Sequence, residues 1–177
     1  MKTGSVSAPY ASIFRLLMAT IAVVTFAGCA TNPPWPAIAE GETTESLPGR
    51  WVWAELFTSD TAKARAFYGD VFGWQFETRG TSDKPYVLIR NEGSPVAGMV
   101  RHPATDEDVL QSRWVGLLSV DDVGATTDSI REAGGTVLLD PVTLRGRGEV
   151  ALVADPEGAR FGLLAAEPGD PPDAMPE

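Results

Sequence analysis

The second half of the chain repeats the pattern of the first at an offset of 62 residues, and this repeat restricts the fold more than any other feature. Trp51-Val-Trp-Ala-Glu-Leu-Phe-Thr-Ser-Asp60 leads into Thr61-Ala-Lys-Ala-Arg-Ala-Phe-Tyr-Gly-Asp-Val-Phe72 and then Gly73-Trp74. Arg113-Trp-Val-Gly-Leu-Leu-Ser-Val-Asp-Asp122 leads into Val123-Gly-Ala-Thr-Thr-Asp-Ser-Ile-Arg-Glu-Ala-Gly134 and then Gly135-Thr136. In this register Leu56 meets Leu118, Asp60 meets Asp122 and Gly73 meets Gly135. Each stretch opens with a β-rich run. Each then has Asp where a carboxylate can accept from the free N–H groups that begin a helix. Ala64, Phe67/Tyr68 and Val71 mark the apolar face of the first helix; Val123, Thr127, Ile130 and Ala133/Gly134 mark that of the second. Both helices end at glycine, which takes the left-handed cap conformation without steric cost.

Short strands follow each helix. The pattern predicts Trp74–Thr78, Pro85–Arg90 and Val96–Val100 in the first unit, then Thr136–Leu139, Glu149–Ala154 and Phe161–Ala165 in the second. Turns fall at Asn91-Glu-Gly-Ser, Arg145-Gly-Arg-Gly and Asp155-Pro-Glu-Gly, close enough to pair successive strands antiparallel. The order is βαβββ, twice. One such unit buries too little apolar surface to stand alone. The expected fold is therefore α+β: two βαβββ modules (50–103 and 112–167) pair into one mixed, open, curved sheet around a cleft.

At 177 residues, 44% hydrophobic and 21% charged, the chain has room for one domain with appendages and is not disordered. Fourteen Lys and Arg against 24 Asp and Glu argue against a nucleic-acid partner, which requires clustered positive charge. A single Cys and a single His exclude an intrachain disulfide and any multi-histidine metal cage. A non-haem iron site of two His and one carboxylate is excluded for the same reason.

Residues 1–28 are expected to be an export signal. Lys2 and Arg15 precede an apolar run from Leu16 to Gly28 that is too short for a bilayer, which takes about 20 residues. Phe26-Ala27-Gly28-Cys29 resembles the bacterial lipobox, with Phe26 where Leu is usual. That resemblance implies cleavage before Cys29, lipidation of its thiol and a membrane anchor. The implied location is the cell envelope: the outer membrane of a Gram-negative cell, otherwise the outer face of the plasma membrane. Residues 29–49, rich in Pro and Glu, read as an extended tether, with Trp35 able to dock on the domain or the lipid surface. Pro168–Glu177 reads as a frayed acidic tail.

Trp53-Ala-Glu-Leu-Phe-Thr-Ser-Asp60, Phe67-Tyr68 and Val71-Phe-Gly-Trp74, with the Asp155-Pro-Glu-Gly turn, resemble the vicinal oxygen chelate superfamily of glyoxalases, bleomycin-resistance proteins and extradiol dioxygenases. The resemblance covers 50–167 and implies the two-module cleft. Metal-dependent members hold a divalent ion with His and Glu or Gln on the first and last strands of the modules. Here those positions carry Trp53, Val115, Gly98 or Met99, and Gly162. Glu55, two residues after Trp53 and on its strand face, is the one carboxylate within reach. His102, next to Pro103, is expected in the inter-module loop.

The expectation is a metal-free cleft for a small organic molecule, with no cofactor. Trp53, Phe57 and Trp114 are its candidate walls, and Glu55 its candidate anion. A buried carboxylate needs a partner or a proton, and Arg160 is the candidate partner for Glu55 or for a ligand acid. Arg145 and Arg147 are expected in a surface turn. Two alternatives stand beside this reading. One is a metal-dependent lyase, isomerase or dioxygenase; the other is a non-enzymatic docking module. The family resemblance also implies a homodimer.

Overall fold

A computed structural model describes residues 35–39, 43–80, 85–102, 112–167 and 169–171. The expected leader, Cys29, and the chain beyond residue 171 lie outside the described residues.

The elements alternate as the repeat predicts. The first module is β1 (Trp51–Thr58), α1 (Thr61–Phe72), β2 (Gln75–Gly80), β3 (Pro85–Asn91) and β4 (Ser94–Arg101). The second is β5 (Arg113–Ser119), α2 (Val123–Glu132), β6 (Thr136–Leu144), β7 (Gly148–Ala154) and β8 (Arg160–Ala166). All eight strands form one sheet in the order β2-β3-β4-β1-β5-β8-β7-β6. Within each module the hairpins are antiparallel, and the crossover sets β1 parallel to β4 and β5 parallel to β8. The modules join where β1 pairs antiparallel with β5, Glu55 opposite Val115. This is the expected α+β architecture.

Local chemistry sets the boundaries. Asp60 accepts from the N–H groups of Ala62 and Lys63, and Asp122 from that of Ala125, so both caps form as read. Gly73 closes α1 in the left-handed region at φ 68°. At the end of α2 the left-handed residue is Gly134 (φ 85°), one short of the register that pairs Gly73 with Gly135. Glu92 and Gly93, both at positive φ, make the two-residue turn between β3 and β4. β6 runs five residues beyond the expected Leu139; it is an edge strand, where Pro141 costs no ladder bond.

Both helices pack on the same face of the sheet. Ala64 and Tyr68 of α1 cover Leu56, Val87, Ile89, Ala97 and Met99. Ile130 of α2, with Val123, covers Ala151, Val153 and Leu163. The apolar stripe read on α1 is wider than the face it buries: Phe67 and Val71 are more than half exposed.

The opposite face, helix-free among the described residues, has its own cluster: Trp53, Tyr86, Leu88, Leu117 and Leu164. These residues come from β1, β3, β5 and β8, with strand parity opposite to the helix-side set. The cluster also contains Ile38, and Trp35 packs against it. The segment read as a tether is therefore partly laid into the cleft. Its Pro-rich composition prevents a ladder but not burial, and Ile38 is 2% exposed.

The tail reading does not hold at Asp170. Asp170 is buried and ties the two ends of the domain together. Its carboxylate accepts from the Leu47 N–H at 2.7 Å and from the Ser119 hydroxyl, and its own N–H donates to the Glu45 carbonyl at 2.8 Å. An Asp170→Ala variant strands the buried Ser119 hydroxyl and the half-buried Leu47 N–H. It is expected to lose about 1–3 kcal/mol in urea unfolding; an unchanged midpoint would show that the clamp carries no stability.

Candidate functional site

The helix-free face has a polar centre, and it is almost fully buried. Trp53 and Glu55 both point to that face from β1, as the period-2 reading required. Glu55 Oε1 accepts three bonds: from Trp53 Nε1 at 3.1 Å, from the Tyr86 hydroxyl at 2.9 Å and from a terminal guanidinium nitrogen of Arg147. The other terminal nitrogen of Arg147 donates to the Tyr86 oxygen at 2.8 Å. Arg147 Nε donates to the Pro36 carbonyl at 3.0 Å. Its guanidinium also lies over the rings of Tyr86, Trp35 and Trp53, 4.8–5.9 Å from their centroids.

Arg147 is the residue that the sequence reading placed on the surface. It stands in the β6–β7 turn, yet is 2% exposed. The flanking glycines account for this. Gly146 (φ 87°) and Gly148 (φ 119°) both need the left-handed half of backbone space, and a Cβ on Gly148 would lie 2.0 Å from the Ala165 carbonyl oxygen. The turn folds tightly onto β8 and sends Arg147 inward while Arg145 stays exposed. An Arg between two turn glycines, opposite an unpaired carboxylate on the inner face, was the available signal. Tyr86 was missed because its alternation within Pro85–Arg90 reads as ordinary core.

The other candidates separate by face. Phe57 shares the cleft face, half-buried and opposite Val100. Trp114 does not line the cleft. It is one residue from the inward Val115, so it faces the helices, where its indole donates to the Tyr68 hydroxyl at 2.9 Å and packs edge-on against Trp74. Arg160 opens β8 opposite Ala154, and the guanidinium paired with Glu55 is that of Arg147. His102 follows β4, its N–H bonded to the Thr58 carbonyl.

The two modules share a shape at their centres but not a chemistry. Glu55 lies opposite Gly98 across β1 and β4, and Leu117 opposite Gly162 across β5 and β8. A Cβ on Gly98 would fall 1.8 Å from the Tyr86 oxygen and 2.1 Å from Glu55 Oε2; one on Gly162 would fall 2.2 Å from Leu117. Each glycine is the space its neighbour fills. These are the sheet positions where the resemblance places a metal's ligands. Of Trp53, Val115, Gly98 and Gly162 none offers a metal ligand; the nearby Glu55 gives Oε1 to Arg147, and its Oε2 is buried without a hydrogen-bond partner. Among the described residues no three His, Cys, Asp or Glu side chains are grouped to hold an ion. One carboxylate oxygen falls short of the three or four donors that a first-row metal takes.

Burial pushes the Glu55 carboxyl above the usual carboxylate range, against the pull of the Arg147 charge and of three donors. Burial, and then the Glu55 charge, push the Tyr86 phenol well above its ordinary value, so it stays a donor. Burial also works against the Arg147 charge, but Glu55 and Tyr86 hold it up, and a guanidinium stays protonated regardless. The arrangement is a desolvated ion pair with a phenol bridging its two sides.

Removing one partner leaves a buried charge alone. Arg147→Met is expected to destabilise the domain by about 3–5 kcal/mol, and Glu55→Leu added to it to restore most of that loss. The deficit should also depend on pH. Without Arg147, burial acts on Glu55 against the Tyr86 and Trp53 donors alone, and its folded-state pKa rises further above the unfolded value. The penalty is then absent below the unfolded pKa and grows as pH rises through the folded one. Urea unfolding of Arg147→Met at about pH 5 and about pH 8 should show the larger loss at the higher pH. A deficit independent of pH would contradict this.

The comparisons agree with the geometry. Residues 50–163 match the model of the Glyoxalase/Bleomycin resistance protein/Dioxygenase superfamily. The anthracycline biosynthesis proteins DnrV of Streptomyces peucetius and DauV of Streptomyces sp. (strain C5) are each 30% identical over 135 residues, 68% of this chain and 48% of theirs. The chain thus spans about half the length of these curated relatives. Among solved structures, a methylmalonyl-CoA epimerase in complex with methylmalonyl-CoA and NH4+ shares the fold, with a TM-score of 0.52 at 15% identity over 71% of this chain and 100% of that one. The chain belongs to the Glyoxalase/Bleomycin resistance protein/Dioxygenase superfamily.

Proposed function

We propose that this chain binds a small organic molecule on the helix-free face without a metal, and that a lipid on Cys29 holds it at the cell envelope. The observation that carries the binding reading is the Glu55–Tyr86–Arg147 cluster. It sets a guanidinium with three directed donors beside the apolar cluster of Trp53, Leu88, Leu117 and Leu164, and a fold neighbour is a protein in complex with methylmalonyl-CoA and NH4+. A few oriented donors in an apolar well suit a ligand that is mostly carbon with one or two oxygens. Trp53 and Phe57 remain the walls of this reading.

The metal-dependent alternative needs donors from elsewhere, and it stands as the outcome that the following experiment would reveal. Native mass spectrometry of the mature protein, purified from its own host without chelator, is expected to show a one-to-one organic adduct and no bound transition metal. Stoichiometric Zn, Ni, Mn or Fe that disappears in Glu55→Gln would overturn the reading. Sedimentation velocity on the same preparation tests the homodimer that the family resemblance implied.

The anchor rests on the lipobox-like run alone. Intact mass of detergent-extracted protein is expected to show a chain beginning at Cys29 with a diacylglyceryl addition, and Cys29→Ser should move the protein to the soluble fraction. Wild-type protein retaining its first 28 residues would contradict this part.

A further inference from the structure

We propose that Trp35–Ala39 is a displaceable occupant of the cleft, and that its contacts outline the ligand which replaces it: an uncharged aromatic carbonyl compound. This deepens the binding reading above and rests on it.

The segment is seated as a ligand would be. The Trp35 ring lies edge-on to Tyr86 with centroids 5.3 Å apart and takes the Arg147 charge on its face at 5.4 Å. The Pro36 carbonyl accepts from Arg147 Nε. Ile38 fills the well between Trp53, Tyr86, Leu88, Leu117 and Leu164. Aromatic ring, carbonyl oxygen and branched aliphatic group thus each meet a different part of the cleft. Glu55 already balances the Arg147 charge, so the nitrogen facing the segment suits a neutral acceptor better than a carboxylate.

The segment is also loosely tied. It belongs to no strand, and among the described residues its backbone bonds are Trp35 N–H to the Arg145 carbonyl at 2.9 Å and the Pro36 carbonyl to Arg147. Pro36 has no N–H to give. From Thr43 onward the chain is fastened separately. The Thr43 hydroxyl and the Leu47 N–H bond to Asp170, and the Gly49 N–H bonds to the Ser119 carbonyl. Release of Trp35–Ala39 can therefore stop at that fastening without opening the sheet. Underneath, Arg147 keeps Glu55 and Tyr86, and its Nε, which the Pro36 carbonyl would leave, can take an incoming oxygen.

Two measurements test this. Hydrogen exchange on the full chain should show the amides of Trp35, Ala37, Ile38 and Ala39 exchanging about a hundredfold or more faster than those of β1 and β3. Exchange as slow as the sheet's would overturn the proposal, because the segment would then open only with the whole domain. A full-chain Trp35→Ala/Ile38→Ala variant should bind a fluorescent peptide of sequence Trp-Pro-Ala-Ile-Ala at least about tenfold more tightly than the wild type, whose own segment competes. A folded variant that ignores the peptide would overturn the proposal. The neutral aromatic ketone 9-fluorenone should displace the peptide. Peptide binding without displacement by the ketone would sink the ligand class and count against the small-molecule reading, while leaving a displaceable segment established. If the variant does not fold, the exchange measurement still decides.

Discussion

A carboxylate taken out of water must be matched by a cation or take up a proton, and the inner face of this sheet is organised around that constraint. Glu55 sits near the middle of β1, the strand through which the two modules join. Arg147 comes from a turn in the other module, 92 residues along the chain. Their contact thus links the modules by charge, next to the β1–β5 ladder that links them by backbone. Tyr86 donates to the carboxylate and accepts from the guanidinium, so both sides of the pair lean on one phenol. Gly98 provides the room for this, since any side chain there would occupy the space of both Tyr86 and Glu55. The second module repeats the shape with Leu117 and Gly162 and leaves out the charge.

Much of the architecture was legible because it is written twice. The 62-residue offset, the Asp caps and the glycine stops are local signals, and each formed in the element that the pattern named. Strand parity correctly placed Trp53, Glu55 and Phe57 on one face. The same rule, applied to Val115, would have turned Trp114 away from the cleft; an aromatic beside an inward position invites the wrong face by a single residue. Phe67 and Val71 show the opposite error, since helical spacing marks a face but not how far the sheet beneath it extends.

The site's partner was illegible for a different reason. Arg147 lies in a Gly-Arg-Gly turn, and turn residues are ordinarily at the surface. Only the tertiary path of the β6–β7 connection, folded against β8, carries it inward. Residues 35–39 and Asp170 were missed through composition: Pro-rich and acidic stretches look solvated, yet a few specific bonds and one buried isoleucine are enough to seat them. In each case long-range packing decided between conformations to which the local sequence was indifferent.

The central claim is that an ion pair, rather than an ion, occupies the heart of the cleft. Nitrogen NMR of the Arg147 guanidinium tests it most directly, recorded before and after excess zinc is added. The account predicts separate, slowly exchanging terminal-nitrogen signals, held apart by Glu55 and Tyr86 and unmoved by the metal. A single averaged signal, or signals that collapse as zinc takes Glu55 from Arg147, would contradict it.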